Sequence, residues 1–410
     1  MIKRSFPTPE LLCPAGDTEK LRTAVQYGAD AVYLSGKRFG MRSAPKNFDS
    51  DELAQAVEYA HSNNVRVFVA CNSLLSNDDI NALSDFAPYL YEIGADAVIV
   101  SDIGGLDVVK KKAPGLETHI SVQTGVFNHA AARMFYELGA KRVILSRELS
   151  FEQIAEIRSK TPRELELEAF VHGAICVSFS GRCLLSDYMT DRSSVRGDCA
   201  QPCRWKYSLM EEKRPGEYFP VLEDEGGSYI FNSHDLCMAE YIPQLVEAGI
   251  DSFKIEGRAK SAYYTAMTAN AYRAAIDAYV SAPDAFELPD WILPELCSVS
   301  HRPYSTGFYF GQAKGQQCYD CGGYIRDYLE TGVITSFDDG MITVTEKNKF
   351  NKGDVLEIVS PGKRPVKYIV ERMYLPDGTE IDTANHPEMT VLLPSDVEYV
   401  PGSIMRKQKI

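Results

Sequence analysis

Little in this chain of 410 residues points toward a membrane or toward bulk polyanion. No long apolar run follows the basic pair in MIKRSFPTPELLCPAGD, so neither a secretory signal nor a transmembrane helix is readable there, and the expected location is the cytoplasm. Positive charge is in deficit: 43 Lys and Arg against 57 Asp and Glu leave a net charge of −14. That excludes bulk, non-specific attraction to nucleic acid or to an anionic membrane, but not a local basic site. Three catalytic signatures are missing as well. There is no Gly-x-Gly-x-x-Gly after the first apolar run, no His-Glu-x-x-His zinc helix and no Gly-x-Ser-x-Gly elbow. Low-complexity tracts are absent too, and 45% hydrophobic with 24% charged residues is ordinary for a globular protein with a sizeable core.

What is present is a repeat. AVQYGADAVYLSG, LYEIGADAVIVSD, FYELGAKRVILSR and LVEAGIDSFKIEG each read as an amphipathic helix closed by glycine and followed by a buried strand. With the runs ELLCPAG, VRVFVACNSL, THISVQTG and ELEAFVHGAI, the strands fall near 10–14, 31–35, 66–72, 97–101, 118–123, 143–146, 166–172 and 252–256. Eight strands alternating with helices predict an α/β fold, a (β/α)8 TIM-like barrel, over a doubly wound open sheet. About eighty residues separate the seventh strand from the eighth, far more than one loop and helix need. The excess is an insertion at about 173–240 that should hang over the mouth of the barrel. After Trp291 the texture changes, and GVITSFDDGMITVTE, KGDVLEIVS, VKYIVERMY and MTVLLP predict a small antiparallel β-barrel domain. The expected boundaries are a barrel over 1–310, a linker over 311–335 and the small domain over 336–410.

Cysteine is concentrated where it is least expected in a reducing compartment. HGAICVSFSGRCLLSDYMTDRSSVRGDCAQPC carries Cys176, Cys183, Cys199 and Cys203, and Cys237 follows in NSHDLCMAEY, at the expected start of the last barrel helix. Without a disulfide framework to build, such a cluster reads as a metal site, because thiolates suit zinc or an iron–sulfur cluster. The offsets of seven, sixteen and thirty-eight residues from Cys176 through Cys183 and Cys199 to Cys237 lack paired zinc knuckles and favour a cluster, with zinc as the alternative. Cys13, Cys71 and Cys297 read as core, and the Cys318–Cys321 pair as structural.

The strand ends also carry polar groups: Asn72, Asp102, Gln123, Arg147, Glu148, His172, Lys254, Glu256 and Arg258. Period-two alternation sends about half of them into the mouth. Arg147, Lys254 and Arg258, with Arg38 and Arg42 after the second strand, can form a cationic pocket for a polycarboxylate or a phosphate, or else tie the rim together through Glu148 and Glu256. The expected catalytic groups are His172, Arg147, Glu256 and Arg258, and the expected substrate contacts are Arg38, Arg42, Gln123 and Lys254. Arg182, Arg192, Arg196, Arg204 and Lys206 decorate the insertion, as phosphate contacts or as ties that hold the loop.

The stretch EAFVHGAICVSFSGRCLLSDYMTDRSSVRGDCAQPCRWKY resembles the signature of the collagenase-like peptidase family U32. NSHDLCMAEYIPQLVEAGIDSFKIEGRAKSAYY and the opening ELLCPAGDTEKLRTAVQYGADAVYLSG resemble further blocks of it, so the likeness spans nearly the whole chain. CAQPCRW, YSTGFYFG and the terminal domain are most similar to the branch that makes 5-hydroxyuridine at the tRNA wobble position in a prephenate-dependent reaction. The resemblance implies a 4Fe-4S cluster on Cys176, Cys183, Cys199 and Cys237, with Cys203 spare, prephenate as co-substrate and tRNA as partner. No membrane is implied, and a second subunit of the same family stays open. The terminal domain resembles the second domain of translation elongation factors. Peptidase activity, hydroxylation of a quinone precursor or of rRNA, and a binding module with a structural metal are the alternatives.

Overall fold

The structure is a computed structural model that describes residues 8–41, 46–176, 178–179, 183–205, 234–311 and 324–409. Seven parallel strands run in chain order: β1 (Glu10–Pro14), β2 (Ala31–Leu34), β3 (Arg66–Cys71), β4 (Ala97–Val100), β5 (Glu117–Ile120), β6 (Arg142–Ile144) and β7 (Glu166–Ala174). A short hook, β8 (Asp235–Cys237), pairs antiparallel with β7 outside the cylinder. β9 (Ser252–Ile255) then enters between β7 and β1 and closes an eight-strand barrel. β10 (Tyr304–Ser305) pairs with β8. The barrel strands are buried nearly throughout, as strands covered on both faces must be.

Local chemistry sets the helices that cover them. Asp17 accepts the Lys20 N–H at 3.0 Å to start the helix Thr18–Gln26, and Asp49 with Glu52 makes a reciprocal capping box on the helix Ser50–Ser62. The glycine of each repeat unit ends its helix, and Gly28, with φ +99°, takes the left-handed turn this requires. Among the described residues no helix is long and apolar enough to cross a membrane.

The C-terminal part is an antiparallel half-barrel. Its six-stranded sheet holds β11 (Tyr328–Asp338), β12 (Met341–Glu346), β14 (Val355–Val359), β15 (Val366–Ile369), β17 (Thr390–Pro394) and β18 (Ile404–Gln408), and β13 (Phe350–Asn351) pairs with β16 (Thr383–Ala384) alongside. β11 begins inside the stretch expected to be linker. A register shift against β18 between Glu330 and Gly332 breaks its alternation, which hid the first half of the strand from periodicity.

The two parts share a dry seam. Tyr27 donates to the Val359 and Gly402 carbonyls, both at 3.0 Å. Buried Arg406 of β18 reaches Glu295 of the barrel part at 2.8 Å and Glu357 at 2.8 Å.

Candidate functional site

A cavity of about 170 Å³ opens at the end of the barrel where the parallel strands finish, and the insertion roofs it. Its floor comes from barrel side chains. Arg147 donates to the Ala174 carbonyl at 2.8 Å, lies with its guanidinium 3.8 Å from the Phe170 ring centre, and sits 3.9 Å from Glu256. Lys254 approaches the Tyr33 ring centre at 4.3 Å and pairs with fully buried Glu168 at 2.8 Å. Arg258 is buried too. A Cβ on Gly40 would clash first with Ser35, at 2.9 Å from its Cβ, and would also stand 3.2 Å from the Arg258 guanidinium, so only a residue without a side chain fits there. Gln123, Asn72 and Glu148 add to the polar lining.

Beneath the floor runs a buried ionic column. Glu168 accepts from Arg142 at 3.0 Å, Arg142 from the other side donates to Glu10 at 2.7 Å and Glu166 at 2.6 Å, and Glu10 also pairs with Arg66. Burial by itself would raise the Glu10 carboxyl, but Arg142 and Arg66 outweigh it and hold the group below the usual carboxylate range. His119 stands in the same interior, fully buried, and burial followed by Arg142 and Lys254 pushes its imidazole well down. This column went unread in the sequence. Its signal was the pair Glu166 and Glu168, one period apart in a strand whose only other polar side chain is His172.

The roof brings thiols to the same space. Cys176, Cys183, Cys199 and Cys203 all line the cavity. The Leu185 N–H points at the Cys183 sulfur at 3.4 Å and the Gln201 N–H at the Cys199 sulfur at 3.3 Å, contacts of the kind that a metal-bound sulfur accepts. Ser194 bonds the Cys183 carbonyl, Ser186 accepts the Ala200 N–H at 3.0 Å, and Arg196 reaches Asp79 at 3.1 Å, pinning the insertion across the mouth. The donor set is the soft one that an iron–sulfur cluster or zinc takes. Among the described residues no three His, Cys, Asp or Glu side chains are gathered closely enough to hold a metal ion.

Several expected groups stand elsewhere. Cys237 lies in β8 rather than at a helix start; it faces His172 in the β7–β8 pairing and does not line the cavity. Burial pushes its thiol up to about 11. His172 is only 1% exposed and also lies off the cavity. Alternation from Phe170 would point it inward, but a register shift between Phe170 and His172 against β9 turns it out among Tyr264, Tyr272 and Tyr304. Burial holds its imidazole down at about 3, neutral at ordinary pH. Gly173, with φ +100°, then restores the inward direction; a Cβ there would meet the Glu256 carbonyl at 2.4 Å. Asp102 caps the helix Ile103–Lys112. Arg38 is exposed and reaches Asp79 at 3.8 Å, beside the cavity and not in it. Cys13 and Cys71 are buried, whereas Cys297 is exposed, contrary to a core role. Arg192 pairs with Asp198 at 2.6 Å. Arg42, Arg182, Lys206, Cys318 and Cys321 lie outside the described residues, as does the side chain of Arg204.

Comparison with known proteins agrees along the whole chain. Residues 16–318 match Peptidase family U32 and residues 326–406 match Peptidase family U32 C-terminal domain. The chain is 36% identical to tRNA hydroxylation protein P1 of Bacillus subtilis, over 98% of this chain and 95% of that protein. It is 35% identical to tRNA hydroxylation protein P of Escherichia coli, covering 97% and 96%. A Methanocaldococcus jannaschii protein described as an uncharacterized protease is 40% identical, covering 89% and 90%. Both parts of the chain match the family's descriptions and the likeness to these relatives runs nearly end to end, so this chain belongs to peptidase family U32.

Proposed function

We propose that the protein is a tRNA-modifying enzyme that hydroxylates the wobble uridine to 5-hydroxyuridine, with prephenate as co-substrate and an iron–sulfur cluster at the roof of the cavity. One observation carries the reading: four thiols and the cations Arg147, Lys254 and Arg258 face the same cavity at the mouth. The names of two relatives, which speak of tRNA hydroxylation, support it.

In this reading Cys176, Cys183 and Cys199 hold the cluster and Cys237 is the fourth donor, as the family resemblance implies, with Cys203 competing for that position. An iron–sulfur cluster supplies electron transfer when bound. The chain's own residues do the rest. Lys254 and Arg258 present positive charge to the carboxylates of a small dianion, and Gln123 adds an amide contact. Arg147, fixed by the Ala174 carbonyl and the Phe170 face, orients the ligand against Glu256. Exposed aromatic rings near the mouth, Tyr188 at 83%, Trp205 at 49% and Phe179 at 48%, offer faces for bases taken out of the stack.

Peptide hydrolysis fits less well. Among the described residues that line the cavity there is no histidine to activate a thiol, and His172 is buried and neutral. The test has two arms. Anaerobically purified protein should contain iron and sulfide in equal amounts, and tRNA from cells lacking the gene should lose 5-hydroxyuridine by mass spectrometry. Colourless protein loaded with zinc, or unchanged tRNA in the absence of a redundant pathway, overturns the reading.

A further inference from the structure

We infer that the β14–β15 hairpin of the small domain is a docking strip for the phosphodiester backbone of a folded RNA, remote from the cavity. The inference rests on the RNA reading above and adds a second contact to it. β15 is an outer strand of its sheet, paired with β14 alone. From Gly362 to Arg372 the chain carries Lys363, Arg364, Lys367 and Arg372 against one acid, Glu371, in a protein whose net charge is −14. All four cations are exposed.

Several cations beside them are matched by acids. Lys352 pairs with Glu380 at 3.0 Å, Lys407 with Asp354 at 3.2 Å and Arg406 with Glu357 at 2.8 Å. Among the described residues Lys363, Arg364 and Lys367 have no acidic partner within ion-pair distance. Cations matched by acids hold a domain together, whereas three unmatched ones, two in the turn of the hairpin and one on its outer strand, keep their charge for a partner. The charge complement of that partner is a chain of phosphates.

The strip is also held at a fixed place. Fully buried Asn270, on the helix Ala262–Ser281, accepts the Gly362 N–H at 2.8 Å and donates to the Lys363 carbonyl at 2.9 Å. Tyr27, just past the end of the helix Thr18–Gln26, holds Val359 at 3.0 Å. Helices of the barrel run back from the mouth, so Tyr27 marks the opposite end, and the hairpin tip follows directly on Val359. The hairpin tip, with Lys363 and Arg364, is therefore set back from the cavity by about a strand length, roughly 15 Å for five residues. A small ligand cannot touch both, but a folded polynucleotide can.

The experiment combines Lys363→Glu, Arg364→Glu and Lys367→Glu in the full-length protein. A Gln triple at the same positions serves as a variant without added repulsion. Fluorescence anisotropy then measures binding of a tRNA transcript with uridine at the wobble position, and of its isolated anticodon stem-loop, between 50 and 200 mM salt. The unaltered protein should bind the full transcript at least tenfold more tightly than the stem-loop. Both triples should lose that advantage, lower the slope of log K against log salt by about 2–3, and leave stem-loop binding unchanged. Wild-type affinity and slope in the triples overturn the strip while leaving the RNA reading in place. Dimer dissociation in the triples, with tRNA binding intact, assigns the strip to a second copy and overturns it too. Should the unaltered protein bind neither RNA, the underlying reading itself fails.

Discussion

Lys254 Nζ lies 2.8 Å from Glu168 Oε1, both side chains buried, so the cation at the cavity floor is aimed by an acid one layer below it. Glu168 serves Arg142 at the same time. Glu168→Gln therefore strands buried Lys254 and removes one of the three acids that hold Arg142. We expect a loss of about 3–5 kcal/mol in urea unfolding, and a double-mutant cycle with Lys254→Met should show strong coupling between the two positions. An unchanged midpoint would mean that the column does not hold the floor.

Iron content decides which thiol is the fourth donor to the proposed cluster. Cys237→Ser should reduce bound iron sharply in anaerobic preparations, while Cys203→Ser keeps it. The reverse result transfers the role to Cys203, which already lines the cavity. Normal iron in both single variants, lost only in the double variant, would make the two thiols interchangeable.

Acid should weaken the fold through His172. The unfolded chain protonates this imidazole near 6.5, whereas the folded one stays neutral down to about 3. Stability is thus complete above 6.5 and falls as the pH drops through that window, by roughly 1.4 kcal/mol per pH unit for one proton. His172→Phe should remove about that much slope from unfolding free energies taken at pH 7, 6 and 5. His119 contributes in the same direction and remains in the variant.

Tyr188 is the most exposed aromatic among the described residues of the insertion. Tyr188→Ala should weaken binding of an anticodon stem-loop by about 1–3 kcal/mol, measured by anisotropy, while Tyr188→Phe retains it because stacking does not use the hydroxyl. Equal affinity of the Ala variant would remove the ring from the RNA face.

The barrel was legible because its signals are local and repeated. Each glycine-capped helix with its β-rich successor is complete within about thirteen residues, and all eight barrel strands follow from that pattern and the apolar runs between. The hook Asp235–Cys237 was not, since three residues of β structure carry no period and Cys237 was read as opening a helix. His172 was misdirected for a related reason. A register shift costs one residue of alternation, and nothing in VHGA reveals it before the pairing is known. The cavity cations Arg147, Lys254 and Arg258 were visible as polar groups at strand ends, but Glu10 meets Arg142 only across the barrel interior, a contact between residues over one hundred positions apart.

The seam at Arg406 has a consequence for anyone who would cut the protein in two. Glu295 is 1% exposed and leans on a guanidinium contributed by the far end of the chain. Shortening the protein to its barrel would take that counter-ion away and uncover Glu295 together with the Tyr27 and Tyr263 rings buried at the seam, so a truncated barrel is a different and weaker object than the barrel within the whole.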